Sequence, residues 1–322
     1  MDVTCPLCHS EAAPEVSMPI DAKTFAPTRF GRLCRCRRCR FAFVHPRPTP
    51  AETEDFYRLD RYYTQGRSHV AQGAAPSVQS RLRDHLAWRL DRGEELDAVV
   101  IAAAHPGAHI CDVGCGDGAL CRRLAGRGYC VVGIERDRQA VGRSAPGFEV
   151  FEGAVEALPE AVRRDRFDVV VLWHVLEHLV DPITALQRLA ELLVPHGRLV
   201  CAVPNNASVT AWRSGLAWEH LDVPRHLNFF DPDTLAAAVA RAGLRVERHF
   251  YGGYCRYFSN ALIATEQRIH DAVRRVDATA LEGSVRNSQA QAWRLLARTA
   301  FAAPQRKYDS VGVVAGRPGW PS

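Results

Sequence analysis

Three groups of residues in this 322-residue chain have the types and spacing to do chemistry. The first is His174-x-x-Glu177-His178, placed directly after the apolar run FDVVVLW. Such a set suits proton transfer near neutral pH, a divalent metal, or the tethering of a loop. The second is Cys5-x-x-Cys8 and Cys36-x-x-Cys39, separated by 27 residues. A C-x-x-C turn lets two thiolates meet one tetrahedral ion, and two such turns close a structural Zn²⁺ site with no open position. Cys34 is an alternative ligand. The third is the turn Gly114-Cys115-Gly116-Asp117-Gly118, between two apolar runs. Its glycines let the backbone approach a ligand, and the helix start behind them offers N–H groups.

The elements that must carry these groups follow from periodicity. HICDV from His109 reads as a strand, LCRRLAGRG as a helix, and YCVVGIE as a second strand. This is a βαβ unit with Glu135 at the end of its second strand, placed to accept hydrogen bonds from two ribose hydroxyls. By spacing, Gly114-x-Gly116-x-x-Ala119 also fits a dinucleotide fingerprint, so an NAD(P) enzyme is a competing reading. Asp112 favours a cationic or amino-bearing ligand, and Asp117 would repel a pyrophosphate. The strand VVVLW ends near Trp173, so His174 emerges at the carboxyl edge of the sheet, where open α/β folds bind ligands.

Bulk properties set the class. Apolar residues make up 47% and charged residues 24%, an ordinary globular composition. MDVTCPLC has no basic-then-apolar leader, and no apolar run reaches the roughly 18–20 residues of a membrane span. A cytoplasmic protein without membrane contact is expected. Eleven cysteines in such a chain do not suggest a disulfide framework. The net charge of +5 does not point to nucleic acid. Of 41 basic residues only Lys23 and Lys307 are lysine, which reads as a coding bias toward Arg. Most of the excess lies in residues 1–50, where four thiolates on Zn²⁺ would offset part of it.

VGCGDG with Glu135 resembles the S-adenosylmethionine site of class I methyltransferases. FDVVVLWHVLEHLVDP and LAELLVPHGRLVCAVPN resemble their fourth strand, following helix and fifth strand. PRHLNFFDPDTLAAAVARAGLRVERHF resembles the approach to their sixth strand, and KYDSVGVVAGRP their last. The resemblance implies an α/β fold: a seven-stranded Rossmann-like sheet with its last strand antiparallel, a small N-terminal zinc ribbon and a helical cap. The expected division is a ribbon over 1–45, a connector and cap helices over 46–104, the cofactor core over 105–254, and a helical insertion plus final strand over 255–322. Within 46–104, ETEDFYRLDRYYTQG and helices near 78–92 and 94–104 are expected to cover the site. In the insertion, Leu262, Ile269, Val273 and Val276 mark one helix face.

By the same resemblance, Asp112, Gly114, Cys115, Gly116, Asp117 and Gly118 face the amino-acid end of the cofactor, with Trp173 nearby, and Glu135 holds the ribose. The loop EGAVEALP faces the adenine. Ala154 stands where many relatives carry Asp, so the adenine contact falls to the backbone of Val155 or to Glu156. In some relatives the strand-four stretch reads Glu-x-x-Glu-His and binds a divalent metal. Here His174 replaces the first Glu, so His174, Glu177 and His178 form a candidate second metal site with His226 as a fourth ligand. As bases, His174 comes first and His226 second, with His178 and Glu177 mainly positioning the loop. His220 is a weaker candidate, with Trp218 stacking in the acceptor pocket.

The expected function is methyl transfer from S-adenosylmethionine to a small-molecule acceptor, most simply a hydroxyl in sugar or natural-product metabolism. An RNA base methyltransferase gripping RNA with the Arg-rich ribbon, a C-methyltransferase, and a non-catalytic binding module are the alternatives. The sequence assigns no oligomeric state.

Overall fold

The computed structural model describes residues 3–56, 75–137 and 147–319. The segment ETEDFYRLDRYYTQG, expected to cover the site, lies outside the described residues from position 57 onward. The main sheet is built from β5 (His109–Val113), β6 (Cys130–Glu135), β7 (Phe148–Glu152), β8 (Phe167–Trp173), β9 (Leu193–Pro204), β11 (Arg245–Gly252) and β12 (Ser310–Gly316). Its order is β11-β12-β9-β8-β5-β6-β7. β5 to β9 run parallel, and β12 pairs antiparallel with both β9 and β11. This is the expected class I methyltransferase sheet.

The central strands are covered on both faces, which is why they read as unbroken apolar runs rather than alternating ones. In β8, Val169 to Leu172 are fully buried, and all of β12 is buried. The helices on the faces carry the expected end signals. Pro182–Glu191 starts at Asp181, whose Oδ1 accepts from the Thr184 N–H at 3.0 Å, with Pro182 in the first turn. Pro232–Arg241 repeats this with Asp231.

The second sheet is β1 (Val3–Thr4), β2 (Glu11–Ser17), β3 (Arg32–Cys36), β4 (Ala42–Val44) and β10 (Asn228–Phe229). Four strands come from the cysteine-bearing N-terminus. The fifth is supplied by the stretch after His226, through the antiparallel pairs Asn228↔Phe43 and Phe229↔Ala42. The two sheets share one apolar core, in which Phe41 meets Phe230 at 4.9 Å between ring centroids.

The expected helices appear as Val78–Leu90 and Leu96–Ala103, and the insertion as Asn260–Val276 and Gln289–Thr299. Leu262, Ile269 and Val273 are buried as expected, but Val276 is 60% exposed. It is the last residue of its helix, where the apolar face has run past the core. That helix packs on the turns at 215–221 and joins the apolar cluster of the second sheet.

A glycine sets the fit of β11 on β12. Gly312 pairs directly with Phe250, and a Cβ there would lie 2.1 Å from the Phe250 ring. Phe250 is 2% exposed and has no room to move. Gly312→Ala is expected to lower stability by about 1–3 kcal/mol through overpacking. The check is a lower denaturant midpoint at unchanged slope.

Candidate active site

The parallel strands present their carboxyl ends along one edge, and the start of the antiparallel β12 arrives at the same edge. After β5, Gly114, Gly116 and Gly118 all adopt positive φ (75°, 55° and 71°). At Gly114 the need is steric as well, since a Cβ would lie 2.5 Å from Val175 Cγ2. Glu135 closes the turn: its Oε2 accepts from Gly116 N–H at 2.8 Å, and its Oε1 from the N–H groups of Arg136 and Asp137. A carboxylate has about four lone-pair sites, so with three backbone N–H groups already accepted about one is left for a ribose hydroxyl.

Asp112, Gly114, Cys115, Asp117 and Trp173 line a cavity of about 460 Å³. The sequence reading brought these residues to one place, and the structure does the same. It adds Glu94, Glu95, Leu96 and Asp97 from the start of the helix Leu96–Ala103. The run EELD was the available signal, because it gathers carboxylates at the start of a helix. Asp112 is 3% exposed, and burial pushes its carboxyl up to about 7, partly offset by the Cys121 S–H it accepts. Val155 is 2% exposed, with its side chain in the core, which leaves only its backbone for a ligand. Glu156 is exposed and paired with Arg136 at 3.2 Å, and neither it nor Val155 lines this cavity.

After β8 the chain turns sharply. His174 has φ +54°, a strained value for a non-glycine residue. Its Nδ1 lies 3.2 Å from Glu177 Oε1. Glu177 is 1% exposed. Burial alone would raise its carboxyl, but the hydrogen bond from His174 and the nearby His178 ring outweigh it and hold it at about 2. Its Oε2 is buried with no hydrogen-bond partner. His178 and His226 meet edge to face at 4.6 Å. His178 donates through Nδ1 to the carbonyl of Arg225 at 3.1 Å, and His226 to that of His220 at 2.7 Å. Burial, then His178, pushes His226 well below the usual histidine range, so it stays neutral.

The metal-like cluster differs in membership from the expected one. Ligand atoms of Glu177, His178 and His226 lie within 4.8 Å of one another, whereas His174 falls outside this set. The turn at His174 swings its ring toward His220, with the two rings parallel to 3° at 5.9 Å. The sequence marks His220 only weakly and gives no sign of its partners. Arg256 donates to His220 Nε2 at 2.6 Å, and Asp309 Oδ2 lies 3.2 Å from the same nitrogen. Asp309 precedes β12, so the antiparallel direction of that strand was the signal that would have placed it at this edge. Trp218 lines neither of the two cavities at this edge. It is 3% exposed, packed in the cluster of the second sheet and edge-on to His220.

A second cavity of about 680 Å³ adjoins the first, sharing Glu94, Glu95, Gly252 and Gly253. Trp88, Arg89, Asp91, Arg92 and Arg256 also line it.

In the second sheet, within the apolar cluster it shares with the main sheet, the sulfurs of Cys5, Cys8, Cys36 and Cys39 lie within 4.8 Å of one another, and Cys34 is not among them. Cys5 Sγ to Cys39 Sγ is 3.6 Å, and Cys8 Sγ to Cys36 Sγ is 3.4 Å. A tetrahedral Zn²⁺ with bonds of about 2.3 Å needs sulfurs about 3.8 Å apart, so the donor set fits. Burial pushes the Cys39 thiol up to about 11 and Cys5 higher still. A divalent cation would favour the thiolate form of such thiols.

The sheet order and the glycine turn at its carboxyl edge are those expected of the class I methyltransferase fold. A family model described as a methyltransferase domain matches residues 87–249, half of the chain, and the chain belongs to that family. Curated relatives include a ubiquinone biosynthesis O-methyltransferase of Cereibacter sphaeroides, 31% identical over 153 residues, 43% of this chain and 60% of that protein. Another carries the same description in Aeromonas salmonicida, 31% identical over 152 residues, 44% of this chain and 64% of that protein. The chain thus spans about 60% of the length of the first of these relatives. Among solved structures, the 1,6-didemethyltoxoflavin-N1-methyltransferase of Burkholderia thailandensis aligns with a TM-score of 0.47 at 15% identity, covering 88% of this chain and 98% of that one. A TehB-like methyltransferase of Corynebacterium glutamicum aligns at 0.42 and 18%, covering 84% and 100%. Among the described residues, no helix is long and apolar enough to cross a membrane.

Asp112 gives a test of the cofactor cleft. A cationic amino group beside it favours the carboxylate, so binding near pH 6.5 should release a proton. Affinity for S-adenosylhomocysteine should therefore rise with pH up to about 7 and then level off. Calorimetry in two buffers of different ionisation enthalpy reads the proton, and Asp112→Asn should abolish the release.

Proposed function

We propose that this chain transfers the methyl group of S-adenosylmethionine to a hydroxyl of a small polar metabolite, with His174 as general base. The contact between His174 Nδ1 and Glu177 Oε1 carries this reading. An ionised carboxylate on Nδ1–H fixes the tautomer that leaves Nε2 basic, at the end of β8 and beside the cofactor cleft. Glu177 is then a positioning residue. Transfer itself is an in-line displacement, which the enzyme promotes mainly by aligning donor and acceptor. Asp112, the glycine turn and Glu135 hold the cofactor, and Val155 and Glu156 border its adenine. The acceptor fits the second cavity, whose mixture of guanidinium, carboxylate and indole groups suits a hydroxyl-rich compound such as a sugar or a natural-product intermediate.

A second reading rests on the unpartnered Glu177 Oε2 and the closeness of His178 and His226. These three residues would hold a divalent ion such as Zn²⁺, Mn²⁺ or Fe²⁺. Such an ion would bind and acidify the acceptor hydroxyl. In either reading, a structural Zn²⁺ is held by Cys5, Cys8, Cys36 and Cys39.

Two measurements test this. Labelled S-adenosylmethionine with fractionated small-molecule extract should yield a labelled metabolite. With it as acceptor, His174→Ala should cost about 10²–10⁴-fold in kcat. No labelled small molecule in any fraction, or label in RNA, overturns the proposal. Elemental mass spectrometry should find one zinc per chain, lost in Cys36→Ser and Cys39→Ser. A second ion lost in Glu177→Ala would favour the metal reading over the base.

A further inference from the structure

The cysteine-bearing sheet does more than fold beside the catalytic core. Its fifth strand is the continuation of the loop that carries His220 and His226. Around that strand the two units are stitched by hydrogen bonds. Ala22 N–H donates to Val223 O and Val44 N–H to Leu227 O, both at 3.0 Å. Arg47 donates to Leu227 O at 2.9 Å and to Asn228 Oδ1 at 2.6 Å.

At the centre is an ion pair between Asp21 and Arg225. Arg225 is 1% exposed, and its two terminal nitrogens donate to the two oxygens of Asp21 at 3.0 and 2.6 Å. Its Nε donates to Asp222 at 3.0 Å. A bidentate guanidinium–carboxylate pair fixes orientation as well as distance. The carbonyl of this same Arg225 accepts from His178 Nδ1. One residue on, His226 points back at the carbonyl of His220, and Leu227 N–H donates to Glu177 O at 2.8 Å. Asn228 Nδ2 then donates to Leu179 O at 2.7 Å. Both histidine rings are therefore hung on a segment whose other side is held by the ribbon.

We infer that Asp21 and Arg225 are positioning residues of the active site, through which the ribbon sets the place and tautomer of His178 and His226. The inference rests on the reading that these histidines belong to the reacting site, but it holds for base and metal chemistry alike. In both cases each Nδ1 carries a proton donated to a backbone carbonyl.

The test is nitrogen-15 spectroscopy of the histidine rings in the full chain, which needs no acceptor. The wild type should show slowly exchanging Nδ1–H signals for His178 and His226. Asp21→Asn should speed their exchange at least about tenfold while leaving affinity for S-adenosylhomocysteine within about twofold. Glu15→Ala breaks an exposed ribbon ion pair with Arg35 that does not reach the loop, and should leave both signals unchanged. Unchanged signals in Asp21→Asn, or equal loss in Glu15→Ala, overturn the inference. Should Asp21→Asn not fold, backbone hydrogen exchange of the wild type decides. The amides of Ala22, Val44 and Leu227 should open as one unit, and independent opening of Leu227 sinks the idea. These outcomes are separate from any failure to find methyl transfer.

Discussion

A carboxylate buried at the end of the middle strand must be matched by donors or cations, and this requirement shapes everything around Glu177. His174 approaches one oxygen at the cost of a left-handed backbone, while His178 and His226 crowd the same side chain. Those two rings in turn need carbonyls for their Nδ1 protons, and the carbonyls come from Arg225 and His220. The loop that bears them is too polar to hold itself in the interior. It is held because Arg225 is neutralised by Asp21 and because β10 completes the ribbon's sheet.

The sequence was most informative where a single local rule sufficed. The unbroken apolar runs of β8 and β12, the glycine turn and the C-x-x-C pairs each encode their structure within a dozen residues. The helix caps at Asp181 and Asp231 are equally local. What it did not disclose depends on distant pairing. A two-residue strand at 228–229 has no periodicity, and its partner β4 lies far away in the chain. Arg256 and Asp309 carry no local signal of their place, since only the pairing of β11 and β12 brings them to His220.

The histidines illustrate the difference between composition and geometry. The spacing of His174, Glu177 and His178 suggested one set. The backbone turn at His174 divides it in two, with His174 facing His220 on one side and His178 facing His226 on the other. Glu177 belongs to both. Its environment also separates the rings electrically, since burial keeps His226 neutral while His174 remains partly open to solvent. The proposed base role of His174 draws on that partition.

The position of β12 has a bearing on how the protein is made. It lies between β9 and β11, although both of those strands leave the ribosome before it. Until residues 310–316 emerge, the nascent chain carries two unsatisfied sheet edges, and β11 has no place to dock. The helices at 260–299 are synthesised during that interval and are rich in local contacts, so they can form first. The edge of the cleft that contains Asp309 is therefore the last part to be built, and a chain that stalls shortly before it would hold a cofactor turn but no finished site.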